Sequence, residues 1–355
     1  MLIWLEALTA KQALLMSYLY ESLTRQNLDV IITTRQYDYI IGIFKNRNIP
    51  CIIVGKYGGE TLKEKLQQSL QRQIRLLDIA IKHKPDIHIS FVSPDSTRVA
   101  FGLGIPTILL TDTPHSTYVN KLTIPLANCV IAPLCTKESW EKYGYKGDVF
   151  RFFKGVFEVA WTAKFKPNKS ELEQLDLEEY NYIILRTEEK KASYYSSYAS
   201  RYSEPTFTVK LLDYIIEKLK MNIVFFPRYK EQRDYVSSRY GEKVIIPKES
   251  LFLQHLEYYA YSVITGGSTL AVESALLGTP SITLFPRKLE TVSWLKSLNF
   301  PIFQITDPFN SFQDITRLLR KAEEHRKNTS KTLKNLEDPI PLIVKEVLNL
   351  SNIHG

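Results

Sequence analysis

The chain has 355 residues, of which 44% are hydrophobic and 24% charged, and it carries a formal net charge of +8. That length supports two domains of ordinary size, each with its own core, and no apolar run approaches the roughly eighteen residues of a membrane-spanning helix. Cys51, Cys129 and Cys135 are too few and too scattered for a disulfide framework or a zinc site. The N-terminus lacks the basic region and cleavage site of a signal peptide, so a cytoplasmic protein is expected. No helix-turn-helix or aromatic RNP signature is present, and nucleic acid is not an expected partner. The positive balance suits anionic substrates and leaves peripheral contact with the inner face of a membrane as a secondary expectation.

Strand and helix signals alternate along the chain, the pattern of an α/β fold with parallel sheets. Apolar or β-branched runs at Leu2–Leu5, Asp29–Thr34, Ile49–Val54, Ile87–Phe91, Thr107–Thr111 and Cys129–Ala132 predict strands. Helical spacing predicts helices over Lys11–Gln26, Tyr37–Arg47, Leu62–Lys84, Asp95–Gly102 and Tyr118–Ala127. Gly155, Pro167 and Asn168 break the alternation over Lys154–Ser170, a candidate linker. A second alternation follows, with strands at Tyr182–Arg186, Asn222–Phe226, Val244–Ile246, Ser262–Thr265 and Ser281–Leu284. The helices between them are placed at Thr206–Lys218, Lys230–Tyr240, Leu251–Tyr259, Thr269–Leu277 and Glu290–Leu298. The tail Asp314–Asn352 reads as helical, interrupted at Asp338–Pro341. The domain division expected from this is 1–160, a linker at 161–180, a second domain at 181–335, and a last helix at 336–355 that can return to the first domain.

The most specific motif is Val263-Ile-Thr-Gly-Gly-Ser-Thr-Leu-Ala-Val-Glu-Ser-Ala-Leu-Leu-Gly-Thr-Pro280. A strand breaks at Gly266 and Gly267, and a helix opens at Ser268 and Thr269. Glycines let a ligand approach the backbone, and a helix N-terminus offers free N–H groups with partial positive charge, which suits a diphosphate. Glu273, one turn in, is placed to accept hydrogen bonds from ribose hydroxyls. The spacing is neither the dinucleotide fingerprint nor the Gly-Lys-Ser/Thr loop of nucleoside triphosphatases. The plainer alternative is an ordinary helix start.

In doubly wound folds ligands meet the carboxyl ends of the strands. Glu6 and Lys11 follow the first strand, where Thr9 reads equally well as a helix cap. Ser93 and Asp95 also read as caps. Asp112-Thr-Pro-His115 ends another strand. His115 suits proton transfer near neutral pH, and Asp112 is close enough in sequence to orient it; a capping Asp beside a solvent-facing His is the alternative. In the second half, Arg186 and Arg228 follow strands where they can pair with phosphates, and Ser193 can add a hydroxyl. His255 reads as a packed or surface residue.

These segments carry two resemblances. The block from Gly267 through Glu273 and Gly278 to Pro280 resembles the donor-binding segment of GT-B glycosyltransferases, above all the enzyme that adds N-acetylglucosamine to lipid I. There, too, Glu lies six residues after the loop glycine and five before a Gly-x-Pro. Ala10–Leu15, Gly55–Gly59, Ser93–Pro106, Asp112–His115, Arg186–Tyr194, Pro227–Tyr229 and Gly266–Pro280 together resemble the mainly archaeal domain-of-unknown-function family 354. That resemblance implies a GT-B-like fold, two facing Rossmann-like doubly wound domains with an inter-domain cleft, related to nucleotide-sugar glycosyltransferases and UDP-N-acetylglucosamine 2-epimerase. The sequence differs from the family pattern at Glu6, often Asp, at Tyr261, commonly Asp, and at Thr187, usually Pro.

The expected activity is metal-independent, inverting transfer from a nucleotide-diphosphate sugar, UDP-linked by preference, with no cofactor besides that substrate. Gly266, Gly267, Ser268 and Thr269 hold the diphosphate, Glu273 the ribose, and Arg186 or Arg228 the leaving charge; His115, or else Glu6, deprotonates the acceptor, a lipid-linked or small glycan. A 2-epimerase on the same nucleotide sugar is the alternative, and a non-catalytic nucleotide-sugar-binding protein a third.

Overall fold

A computed structural model describes residues 1–37, 39–59, 61–191, 195, 201–247 and 251–354. The chain divides into two units, Met1–Trp161 with Leu336–Gly355, and Thr162–Asn335.

In the first unit seven parallel strands lie in the order β3-β2-β1-β4-β5-β6-β7. They are β1 (Leu2–Ala7), β2 (Asp29–Gln36), β3 (Ile52–Lys56), β4 (Ile87–Ser90), β5 (Thr107–Leu110), β6 (Cys129–Pro133) and β7 (Phe150–Phe153). The order reverses at β1, which pairs with β2 on one side and β4 on the other. Strands buried on both faces read as continuous apolar runs, which is why most of them are legible locally. The helices α1 (Ala10–Thr24), α2 (Ile40–Asn46), α3 (Leu62–His83), α4 (Pro94–Gly102) and α5 (Thr117–Thr123) form the crossovers. Thr9 does cap α1, accepting from the Gln12 N–H. Thr61 and Glu64 form a reciprocal capping box on α3, and Lys84 ends it in the left-handed conformation just before Pro85.

Strand β7 is not among the predicted strands, because its aromatic run Phe-Arg-Phe-Phe alternates too weakly to signal burial. Within the candidate linker stretch, Phe157 and Trp161 are fully buried in the core of the first unit. The last helix begins at Pro339, with Pro339 and Pro341 inside its first turn, where a missing N–H costs nothing. Its Ile340, Ile343, Val344 and Val347 join the same core.

The second unit holds five parallel strands in the order β12-β11-β10-β8-β9. These are β8 (Tyr182–Arg186), β9 (Asn222–Phe226), β10 (Ser262–Thr265), β11 (Ser281–Thr283) and β12 (Ile302–Gln304). The expected strand at Val244–Ile246 reduces to one bridge, Ile245 with Val224. β12 was not anticipated, being three residues long and only partly buried. The predicted Thr206–Lys218 helix starts at Val209 and widens to a π-turn at Ile215–Leu219. Among the described residues, no helix is long and apolar enough to cross a membrane.

Candidate functional site

At the carboxyl end of β10 the chain turns through Gly266 and Gly267 into the helix Thr269–Leu276. Two threonines fix this turn. Thr265 Oγ1 accepts the Gly267 N–H at 3.1 Å, and Thr283 Oγ1 donates to the Gly267 carbonyl at 2.7 Å. Ser268, the N-cap residue, makes no side-chain capping bond, and residues 267–269 are partly exposed. The first turn of the helix therefore keeps backbone donors for an external anion.

The two glycines do different work. A Cβ on Gly266 would sit 2.3 Å from Glu188 Cα and 2.6 Å from Glu188 N, so this glycine exists to let the β8 loop pass. A Cβ on Gly267 would first meet a terminal guanidinium nitrogen of Arg228, at 3.2 Å. Arg228 is steered there from the end of β9: its N–H donates to Thr187 Oγ1 and Gln232 Oε1, both at 3.0 Å, and its Nε to the Thr187 carbonyl at 3.2 Å. The structure thus brings Gly267, Ser268, Thr269 and Arg228 together. Gly278, the other glycine of the block, takes φ of +92° with the Lys327 carbonyl packed against it, so no larger residue fits.

Glu273 is 7% exposed. Beside it stands a residue that sequence reading missed. Glu257, from the helix Leu253–Tyr259, is fully buried, and among the described residues its Oε1 has no hydrogen-bond partner. Its Oε2 accepts from Ser274 Oγ at 3.1 Å, and that hydroxyl also reaches the Leu270 carbonyl at 2.7 Å. Burial, and then the charge of Glu273, push the Glu257 carboxyl well above its ordinary range, against the Ser274 contact and the Arg186 charge. Arg186 is partly buried at the end of β8, in register with Thr265. Tyr195, also missed, places its hydroxyl 3.4 Å from the Gly266 carbonyl and 3.2 Å from that of Leu284. Ser193 lies outside the described residues. His255 meets Asn168 at 3.2 Å, a packing role.

In the first unit the carboxyl ends of the strands carry two separate ionic clusters. Lys11 pairs with Asp112, and with Glu158 at 2.8 Å; it also lies over the Phe91 and Phe157 rings, at 5.4 and 5.8 Å. Burial by itself lowers the proton affinity of Lys11, but the two carboxylates outweigh it and hold the ammonium charged to well above its usual pH. Burial raises Glu158 in turn, opposed by Lys11 and reinforced by Asp112. Lys11, expected to bind substrate, is engaged here by two carboxylates, and Asp112 is held by Lys11. Glu158 was hidden by its place in the apparent linker. Pro114 and His115 form a turn, and the Asn120 amide donates to the Thr113 and Pro114 carbonyls, both at 3.1 Å. His115 is partly buried.

Glu6 is corrected outright. It is fully buried, bonded by Arg72 and by the Thr33 hydroxyl, which in turn accepts the Trp4 indole N–H at 2.7 Å. Arg72 also donates to the Val54 carbonyl at 2.9 Å and lies 3.5 Å from Asp95. This is an internal clamp joining β1, β2, β3, α3 and α4, closed to any substrate hydroxyl.

The chain matches the family described as a protein of unknown function, DUF354, over residues 1–352. It belongs to the DUF354 family. The uncharacterized protein MJ0665 of Methanocaldococcus jannaschii is 28% identical over 353 residues, 98% of each chain. Among solved structures, UDP-GlcNAc 2-epimerase from Neisseria meningitidis, bound to UDP-GlcNAc, is similar to this DUF354 protein with a TM-score of 0.74 at 16% identity, covering 98% of this chain and 100% of that one. The Methanocaldococcus jannaschii UDP-GlcNAc 2-epimerase in complex with UDP-GlcNAc and UDP gives 0.72 at 16% identity, with 98% and 100% covered. Acinetobacter baumannii MurG gives 0.53 at 13% identity, with 98% and 99% covered. Likeness at such identities establishes the fold, an α/β GT-B-like architecture, and leaves the reaction to the site residues.

Proposed function

We propose that this DUF354 protein is an enzyme acting on a nucleotide-diphosphate sugar, a UDP-sugar by preference, and that it transfers the sugar with inversion and without a metal ion. One observation carries the reading: a helix N-terminus at Ser268–Thr269 without a side-chain cap, with the Arg228 guanidinium beside Gly267. Backbone N–H groups and a guanidinium are suited to the charge that builds on a departing diphosphate, the term that usually dominates such catalysis. Gly266 shapes the turn, Glu273 accepts from the ribose, and Arg186 adds positive charge. The acceptor oxygen forms a bond to the anomeric carbon as the carbon–oxygen bond to the diphosphate breaks. The nucleotide leaves with the electron pair, and His115 takes the acceptor proton. Lys11 and Glu158 fix Asp112 within the first unit.

A second reading is a 2-epimerase, which eliminates the nucleotide and adds it back. Both readings use the same donor site. A non-catalytic nucleotide-sugar-binding protein is the third.

The test is a thermal-shift screen with UDP-, GDP-, TDP- and CMP-sugars on the wild type and Glu273→Ala. A ligand at a hundred times its Kd adds about 2.7 kcal/mol to stability. A shift confined to one nucleotide series and lost in the variant supports the donor site; no shift with any series removes it. Turnover then separates the readings, since only transfer requires an acceptor.

A further inference from the structure

Right-handed crossovers from β3 to β4, β4 to β5 and β5 to β6 place α3, α4 and α5 on one face of the first sheet, with α3 packed against α4 and α4 against α5. The outside of this helix layer is apolar. On α3, Leu62, Leu66, Leu70, Ile74, Leu77 and Ile81 are between 37% and 84% exposed, while Leu76, Ala80 and the clamped Arg72 are buried on the opposite side. At about 100° per residue the six fall within one sector about 120° wide and about 28 Å long. The neighbouring helices add Phe101 of α4 and Leu122 of α5, 54% and 60% exposed. The α3 row alone amounts to roughly 600 Å² of apolar surface, the upper end of what a soluble monomer shows and a size that marks an interaction.

The charges on the same three helices decide what the face meets. Their exposed charged residues are Lys63, Arg75, Lys82, Arg98 and Lys121 against Glu64 and Asp78. Five to two is a stronger bias than the 46 basic to 38 acidic residues of the whole chain. Glu64 is moreover committed to the capping box, where its carboxylate accepts the Thr61 N–H at 3.0 Å. Two copies set face to face would bring the same cations against each other, so the border selects an anionic partner. Aliphatic side chains in a row, bordered by cations on long flexible stems, match a bilayer surface in both of its layers. The leucines and isoleucines enter the boundary of the acyl chains, and the lysines and arginines reach up to the phosphates of anionic headgroups.

We infer that this face docks on an anionic lipid bilayer, with α3 lying in the plane of the headgroups and Leu66, Leu70 and Ile74 inserted. The contact belongs to the first unit alone and holds whatever the donor site binds. The test is flotation of the full chain with vesicles of phosphatidylcholine, alone or mixed with phosphatidylglycerol. Wild type is compared with the double variants Leu70→Gln/Ile74→Gln and Arg75→Gln/Lys82→Gln. All four positions are exposed, so both variants keep the wild-type circular dichroism spectrum and melting temperature. The wild type floats with the mixed vesicles and stays behind with phosphatidylcholine alone. Removing two cations lowers the partition coefficient about thirtyfold, and removing two inserted aliphatic side chains lowers it at least about tenfold. A wild type that does not float with the mixed vesicles overturns the inference, as does flotation that either double variant keeps undiminished. Equal flotation with phosphatidylcholine alone removes the role of the cations and overturns the assignment to an anionic surface. Sedimentation equilibrium without lipid covers the other occupant: a wild-type dimer that Leu70→Gln/Ile74→Gln dissociates gives the face to a second copy and overturns it too.

Discussion

Substituting alanine at Gly266 and at Gly267 separates the two tasks of the glycine turn. Neither residue has a positive φ, so alanine is allowed at both as far as the backbone is concerned. At Gly266 the new methyl would lie 2.3 Å from Glu188 Cα, more than an ångström inside ordinary contact. Glu188 cannot withdraw easily. Its carboxyl is buried and accepts from the Tyr202 hydroxyl at 2.7 Å, Thr206 Oγ1 at 2.8 Å and the Phe207 N–H at 3.3 Å. The preceding residue, Thr187, is tied to the Phe226 carbonyl at 3.2 Å. Overpacking against a fixed backbone costs about 3 kcal/mol, a fall of roughly 6–12 °C in the Tm of a unit this size. At Gly267 the neighbour is the far end of Arg228, which can swing aside, so the cost stays within about 0.5 kcal/mol. The price at that position is functional, because the displaced guanidinium loses its place beside the helix N-terminus and UDP-sugar affinity falls. Urea unfolding by circular dichroism and isothermal titration read the two effects. If Gly266→Ala loses less than about 1 kcal/mol, or Gly267→Ala loses as much as Gly266→Ala, the contact argument fails.

Two further outcomes follow from the buried charges. Glu6→Gln leaves the Arg72 guanidinium buried without its main counter-charge and costs about 3–5 kcal/mol; a change under 1 kcal/mol in urea unfolding would show that the clamp contributes little. For Glu257, the folded protein retains a proton that the unfolded chain releases above pH of about 4.3. Relative to Glu257→Gln, the wild type therefore loses stability as pH rises from there, by about 1.4 kcal/mol per unit, until Glu257 ionises in the folded state and the difference levels off. Melting temperatures of the pair across pH 4–9 check this, and parallel curves would contradict a neutral Glu257.

Much of this protein is legible locally. The alternation of buried parallel strands with amphipathic helices follows from β-branched runs and 3.6-residue spacing, which need no partner to be recognised, and the Val263–Pro280 block declares its strand, turn and helix within eighteen residues. Short or weakly patterned strands such as β7 and β12 are exceptions, because their burial comes from neighbours. The site chemistry was legible only as a set of residue types at the ends of strands. What each type does was decided by contacts between distant positions: Arg72, 66 residues from Glu6, turned a candidate base into an internal clamp. Asp112, 101 residues from Lys11, joined Glu158 in engaging a candidate substrate-binding residue. Glu257 gained its raised proton affinity from burial beside Glu273. Dielectric and partner set the charge and reach of an ionisable side chain. Both are properties of the packed chain, and no local pattern encodes them.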